Sequence, residues 1–286
     1  MPIPFQQISA EKTGNAYCLA HLSSCAMEDV AKHSTDKNPF WIQLYMYQDK
    51  MAVIKFIERA EQAGYKAIVL TVDAAPFGRR ISEWRHRFNA PAHISVPNLE
   101  ASVKRSEPPL SDGLTPYRCE LFHQLEQVFS VKMVWKDIAW LKTITQLPII
   151  VKGIISPDDA DRAIDQGADA IYVSNHGGRQ LDSVPATLDA LSLVAMRVNG
   201  RVPILFDGGI RHGSDVLKAL ALGANMVLLG RPVLFGLTMA GSKGVDQVFE
   251  ILERELIESM KMSGIDDVND VPRSMIAHRS NYAIKS

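Results

Sequence analysis

Six apolar stretches of this sequence each close on polar side chains. These are Gln43 and Tyr45, Thr71 and Asp73, Lys152, Ser174 with Asn175 and His176, Asp207, and Arg231. Any one of these residues alone is explained equally well as a solvated strand end. Six successive polar closures instead favour a single shared site.

Glycines and arginines near the last two of these stretches predict a phosphate site. The residues are Asp207, Gly208, Gly209 and Arg211, followed by a helix starting near Gly213, and then Gly230 with Arg231. Close backbone N–H groups, a helix N-terminus and guanidinium charge together attract a phosphate. The alternative interpretation is a pair of glycine turns with surface arginines.

The elements that position these residues alternate along the chain. Short β-branched stretches are typical of strands buried on both faces, and they lie at 39–45, 67–73, 148–153, 170–175, 202–209 and 226–231. Segments with helical spacing separate them; one of these carries Ser156 as a predicted N-cap before Pro157. Gly64, Gly167 and Gly223 each end a helix just before a strand. The pattern predicts a parallel α/β (β/α)₈ barrel, and the absence of a GxGxxG motif argues against a dinucleotide-binding open sheet.

Composition limits the function classes. The 286 residues are 47% hydrophobic and 22% charged with a net charge of -1, which indicates a globular protein of one large or two small domains with no attraction to nucleic acid or anionic membranes. We expect a single barrel domain over 1–286. Three cysteines without metal spacing predict neither a disulfide framework nor a zinc site. The apolar stretch 219–241 contains Arg231, so no membrane span is expected.

No targeting signal is legible, so we expect a cytoplasmic protein, with mitochondria and peroxisomes left open. Residues 89–132 predict a long loop or lid.

Several segments carry a family resemblance. They are LSSCAMEDVA (22–31), QLYMY (43–47), LTVD (70–73), GRR (78–80), WKDIAWL (135–141), PIIVKGI (148–154), SNHGGRQLD (174–182) and DGGIRHGSDVLKALALGA (207–224). Together they resemble the FMN-dependent α-hydroxy-acid dehydrogenase/oxidase family, which includes glycolate oxidase, lactate oxidase and the L-lactate dehydrogenases. The resemblance begins near Gly14, and its first segment is most similar to the lactate-dehydrogenase branch.

This resemblance implies roles for the residues that react with substrate. His176 corresponds to the catalytic base, and Asp73 corresponds to the carboxylate that pairs with it. Arg80 and Arg179 correspond to the two guanidiniums that bind the substrate carboxylate, and Tyr45 to a hydroxyl that bonds the substrate. For the two arginines, surface ion pairing is the competing interpretation.

The resemblance also implies an FMN site. Lys152 corresponds to the cation beside flavin N1 and O2. The remaining cofactor-binding residues are Ser23, Gln43, Thr71 and Ser174 at the ring, Asp207 at the ribityl chain, and Gly208, Gly209, Arg211, Gly230 and Arg231 around the phosphate. The implied reaction is oxidation of a small L-2-hydroxy acid to the 2-oxo acid. Its electron acceptor is left open among oxygen, a quinone and a cytochrome, and a homo-oligomer is expected.

The sequence departs from the family in three places. The family's N-terminal helical segment and first strand have no counterpart in MPIPFQQISAEKT, so we expect a barrel without its first strand. Three arrangements would cover the position of the missing strand: the segment MPIPFQQI folded into it, a partner subunit of an oligomer, or further residues of a longer natural protein. Ile81 stands where relatives have an acid, which predicts weaker orientation of Arg80. Cys25 stands at a substrate-side position that is Trp in glycolate oxidases.

Two rival functions remain open from sequence alone. A non-catalytic relative would keep the flavin- or phosphate-binding motifs without turnover. Another flavin- or phosphate-binding barrel enzyme would explain the glycines and arginines of 207–231, but not SNHGGRQLD with its paired arginines.

Overall fold

The computed structural model describes residues 14–35, 37–74, 77–78, 80–86, 91, 94–100 and 125–277. Its seven strands are β1 (Tyr17–Leu19), β2 (Phe40–Leu44), β3 (Ala67–Thr71), β4 (Ile149–Ile154), β5 (Ala170–Val173), β6 (Ile204–Phe206) and β7 (Met226–Val227). They form one sheet in the order β1 to β7, and every neighbouring pair is parallel. The predicted parallel barrel with fewer than eight strands is therefore confirmed as a curled, seven-stranded partial barrel.

Helices follow the strands along the chain. They are α1 (Met27–Ala31), α2 (Lys50–Gln62), α3 (Ile81–Arg85), α4 (Pro97–Glu100), α5 (Lys136–Ile144), α6 (Pro157–Asp165), α7 (Thr187–Val198), α8 (Gly213–Ala221) and α9 (Arg231–Ser263). Short 3₁₀ turns cover His176–Gly178 and Arg273–Met275. None of the helices in the described ranges is long and apolar enough to cross a membrane.

Local sequence signals explain where several helices start and end. The Asp49 side chain accepts a hydrogen bond from the Met51 N–H at the start of α2. Helix α6 begins at Pro157 with Ser156 at the N-cap position, as predicted, although the Ser156 side chain makes no capping hydrogen bond. The predicted glycine ends are confirmed: Gly64, Gly167 and Gly223 lie just after their helices with φ of 87°, 94° and 103°.

Side-chain alternation divides the sheet into two faces. In β2, Phe40, Ile42 and Leu44 are fully buried on the helix-covered face, whereas Trp41 and Gln43 point to the interior of the curl. The same alternation along the other strands produces a small cluster on the interior face, formed by Ala67, Val69, Ile150, Ala170, Tyr172 and Leu205. Interior residues at the carboxyl ends of the strands therefore converge on one rim.

Part of the predicted 89–132 loop is packed onto this scaffold. Asn98 in α4 is fully buried; its Oδ1 accepts from the Met27 N–H at 2.9 Å, and its Nδ2 donates to the Cys25 carbonyl at 3.2 Å. Leu125 and Phe129 are also buried. The rest of the loop lies outside the described residues, so its function as a lid stays a prediction.

Candidate active site

A histidine and a carboxylate pair at the rim of the partial barrel. His176 follows β5, and its Nδ1 lies 2.9 Å from Oδ1 of Asp73, which follows β3. The two side chains are only 20% and 12% exposed. An ionised carboxylate only accepts hydrogen bonds, so the ring proton resides on Nδ1 and the lone pair on Nε2. The pair therefore presents a basic nitrogen with a fixed tautomer.

The backbone around His176 adopts an unusual conformation. His176 has φ 57°, in the left-handed region that residues other than glycine rarely adopt. Its N–H donates to the Ser174 hydroxyl at 3.1 Å, and the Asn175 side chain accepts from the Gly178 N–H at 3.2 Å. These two short-range bonds stabilise the strained turn and direct the imidazole toward Asp73.

Asp73 reaches this position because its neighbour on β4 has no side chain. Gly153 lies at a register shift in β4 with φ 110°. A Cβ there would lie 2.6 Å from Asp73 Cβ and 2.7 Å from its Cγ. Both the φ value and the contact distance therefore require glycine at this position.

Gln180 joins two loops at the site, a role that the sequence analysis missed. Its Nε2 donates to the Asp73 carbonyl at 3.0 Å, and its Oε1 accepts from the Gly78 N–H at 3.2 Å. The side chain thereby holds the loop after β3 against the loop after β5. The available signal was its place in SNHGGRQLD, directly after Arg179.

Two arginines and a tyrosine lie near the His176–Asp73 pair. Arg80 Nη1 and Arg179 Nη2 lie 3.5 and 3.3 Å from the same oxygen, Oε1 of Glu83. Partial burial and the charge of Arg80 lower the pKa of Arg179. Burial, together with the Asp73 carboxylate, raises the pKa of Tyr45 to about 12, so its phenol stays a hydrogen-bond donor. Four of the predicted substrate and catalytic residues thus gather around His176.

A buried histidine supports Tyr45, and the sequence analysis missed it too. His21 is fully buried; its Nδ1 accepts from the Tyr45 N–H at 3.1 Å, and its Nε2 lies 2.7 Å from the Tyr47 hydroxyl. Burial lowers the pKa of His21 to about 3, so the ring is neutral. The His21 N–H also donates to Oε1 of Gln43 at 3.0 Å. Only its position just after β1 could have indicated this role.

The predicted ring-binding residues lie on the interior face. Gln43 Nε2 donates to Thr71 Oγ1 at 3.0 Å, and Thr71 lies opposite Lys152 in the β3–β4 register. Lys152 Nζ lies 5.4 Å from the centre of the Tyr172 ring and has no ion pair within the described residues. The Ser23 hydroxyl accepts from the Cys25 N–H at 3.0 Å within the turn after β1. The role of Ser23 as a flavin contact therefore stays a prediction.

Two of the predicted phosphate glycines border open space. Added Cβ atoms at Gly209 and Gly230 would meet nothing within 4 Å. Arg231 begins α9, and its Nη2 donates to the Gly177 carbonyl. Arg211 is placed by a bond from its Nη1 to the Ile210 carbonyl at 2.8 Å. Open space at glycines, a helix N-terminus and two guanidiniums are features that an anion site requires, so their shared role stays a prediction.

Comparisons with known proteins agree with this geometry. The model of the FMN-dependent dehydrogenase family matches residues 7–278. The chain is 42% identical to 2-hydroxyacid oxidase of Dictyostelium discoideum, covering 92% of this chain and 65% of the relative. It is also 42% identical to glycolate oxidase of Spinacia oleracea, covering 94% and 71%. The chain thus spans about two thirds of the length of these relatives.

Solved structures show the same fold. A crystal structure of mandelate oxidase with (S)-4-hydroxymandelic acid superposes with a TM-score of 0.85 at 36% identity, covering 94% of this chain and 73% of the other. Lactate oxidase of Pediococcus acidilactici gives a TM-score of 0.82 at 37% identity, covering 94% and 69%.

The described residues fit FMN. Asp207 Oδ1 is buried and has no hydrogen-bond partner among them, at the position predicted to contact the ribityl chain. Lys152 supplies a cation with no ion pair in the described part of the chain, and Gly209 and Gly230 border open space, with Gly230 directly before Arg231. The chain thus offers cationic, polar and anion-binding groups of the kinds that the three parts of FMN require.

Proposed function

This chain belongs to the FMN-dependent dehydrogenase family, and we propose that it oxidises a small L-2-hydroxy acid, lactate-like or glycolate-like, to the 2-oxo acid. The observation that carries the proposal is the 2.9 Å His176–Asp73 pair beside the arginines Arg80 and Arg179. A base and a carboxylate-binding pair are the two groups that a 2-hydroxy acid requires.

Substrate binding follows from the charges. Arg80 and Arg179 bind the carboxylate through planar guanidiniums, which suit its two oxygens better than an ammonium group. The Tyr45 hydroxyl donates a hydrogen bond to a substrate oxygen, because its raised pKa keeps the phenol protonated. These three contacts place the α-carbon near His176.

Proton transfer follows from the tautomer. Oxidation of the alcohol removes two electrons and two protons, and His176 Nε2 takes one of the protons. Asp73 stabilises the imidazolium that forms. FMN, when bound, would accept the two electrons together with the second proton. Lys152 places a positive charge on the ring side, where negative charge increases on reduction.

The relatives support oxygen as the final acceptor, since their names describe oxidases. We therefore favour oxygen over a quinone or a cytochrome. The organisation as a single domain over 1–286, the homo-oligomer and the cytoplasmic location remain predictions.

The absorption spectrum of the purified chain with FMN tests the proposal. We expect bound flavin that L-lactate or glycolate bleaches without oxygen, and hydrogen peroxide when air is admitted. D-lactate is the matched control, because it carries the same carboxylate and hydroxyl with opposite stereochemistry. Colourless protein that takes up no FMN, or bound FMN that no 2-hydroxy acid bleaches, would favour the non-catalytic alternative.

A variant separates binding from chemistry. His176→Gln should keep the flavin and lose bleaching by L-lactate, because glutamine has no basic nitrogen. Most of the wild-type reduction rate in this variant would remove His176 from the role of base.

A further inference from the structure

Glu83 lies between the two arginines that we propose bind the substrate carboxylate. It sits in the short helix α3, and its Oε1 is 3.5 Å from Arg80 Nη1 and 3.3 Å from Arg179 Nη2. Arg80 precedes α3, whereas Arg179 follows β5, ninety-six residues from Glu83 along the chain. One oxygen thus joins two arginines from different loops.

The arginines would separate without this oxygen. Two distances of 3.5 and 3.3 Å to one atom bring the two guanidinium nitrogens within 6.8 Å of each other. Like charges this close repel, and Arg80 lowers the pKa of Arg179 for that reason, whereas Glu83 acts in the opposite direction. Arg179 is also 48% exposed on its side chain, so packing alone does not hold it in place.

Glu83 accepts from a single nitrogen of each guanidinium. An arginine has five N–H donors in a fixed fork, so a bond at one nitrogen orients the whole planar group. Glu83 also lies two residues beyond Ile81, which is 59% exposed and cannot pair with Arg80.

We propose that Glu83 is a positioning residue that holds Arg80 and Arg179 in the convergent arrangement needed to bind the carboxylate of the substrate. The inference rests on the proposed function. It assigns to Glu83 the orienting charge that the sequence analysis found missing at Ile81.

The test compares Glu83→Gln with wild type in the full 286-residue chain loaded with FMN. We expect the KM for L-lactate and the Kd for propionate, a carboxylate without the hydroxyl, to rise together by about five- to tenfold. The rate of FMN reduction at saturating L-lactate and the Kd for FMN should change less than twofold. Glu83→Asp keeps the charge on a shorter side chain and should restore part of the affinity. Glu250→Gln, an exposed carboxylate in α9, is the matched control.

The sign of the change decides the result. Removing a negative charge near an anion site tightens anion binding if only electrostatics acts. A lower Kd for propionate would therefore show that Glu83 competes with the substrate, and an unchanged Kd would show a surface ion pair; either result overturns the proposal. If one of these two results is obtained while wild type binds propionate and is bleached by L-lactate, only this inference fails. If wild type does neither, the proposed function fails as well.

Discussion

Replacing Asp73 by Asn tests the catalytic pair directly. Asn keeps the size of the side chain and its contact with Gly153, but removes the charge 2.9 Å from His176 Nδ1. Two unit charges about 4 Å apart interact by about 4 kcal/mol at an effective dielectric constant of 20. Since the two side chains are 12% and 20% exposed, solvent reduces this figure, and about 3 kcal/mol is the working value.

That energy stabilises the imidazolium and not the neutral ring, so its loss appears in the rate. A loss of 3 kcal/mol slows FMN reduction by about 10²-fold, from 1.36 kcal/mol per tenfold change. The asparagine amide also donates to Nδ1 in one orientation, which moves the ring proton to Nε2 and slows the reaction further.

Anaerobic stopped-flow reduction of bound FMN by saturating L-lactate measures this rate. Asp189→Asn, an exposed aspartate in the first turn of α7, is the matched control and should reduce at the wild-type rate. A reduction rate for Asp73→Asn within threefold of wild type would refute the assignment of Asp73 as the partner of His176.

Three further predictions follow from contacts outside that pair. Lys152→Met should lower the two-electron potential of bound FMN by roughly 50 mV, equivalent to about 2 kcal/mol, and an unchanged potential in a dye-equilibration titration would place the ammonium away from the ring. Burial lowers the pKa of His21 to about 3 in the folded chain. Below the unfolded-state pKa of 6.5 only the unfolded chain takes up this proton, so the free energy of unfolding decreases as the pH decreases. Between pH 7 and 5 wild type should therefore lose about 2 kcal/mol more than His21→Gln in urea unfolding, and equal losses would contradict the burial argument. Gly153→Ala should destabilise by about 2–4 kcal/mol and abolish FMN reduction, whereas Gly200→Ala, which has φ 72° and open space, should cost about 1 kcal/mol; equal costs would show that the contact with Asp73 is unimportant.

The sequence predicted the positions of six of the seven described strands, β2 to β7, and the rim, because both depend on short-range patterns. Polar residues such as Thr71 and Lys152 share a face because side chains alternate along each strand, and they meet because parallel strands end at one edge. Glycines with positive φ follow the helices because the chain reverses direction there to enter the next strand. None of these inferences requires knowledge of loop geometry.

Contacts between loops could not be predicted in this way. Gln180 and Glu83 each connect segments about a hundred residues apart, and no local pattern specifies which loop a long polar side chain will reach. His21 is a polar residue that is fully buried because Tyr45 and Tyr47 satisfy its two nitrogens, a pairing that composition does not reveal. The family resemblance directed attention to Ser23 in this segment, while the structure places the backbone of His21 against Gln43.

The turn that carries His176 also links the two halves of the site. A residue other than glycine in the left-handed region costs about 1–3 kcal/mol, and each hydrogen bond that stabilises the turn returns about 1 kcal/mol. The Ser174 hydroxyl and the Asp73 carboxylate bond His176 itself, and Arg231 bonds the Gly177 carbonyl next to it. Three bonds of this size are just enough to offset the strain. Because Arg231 is also one of the predicted phosphate residues, we expect an anion that fixes its guanidinium to stabilise this turn, and with it the orientation of His176.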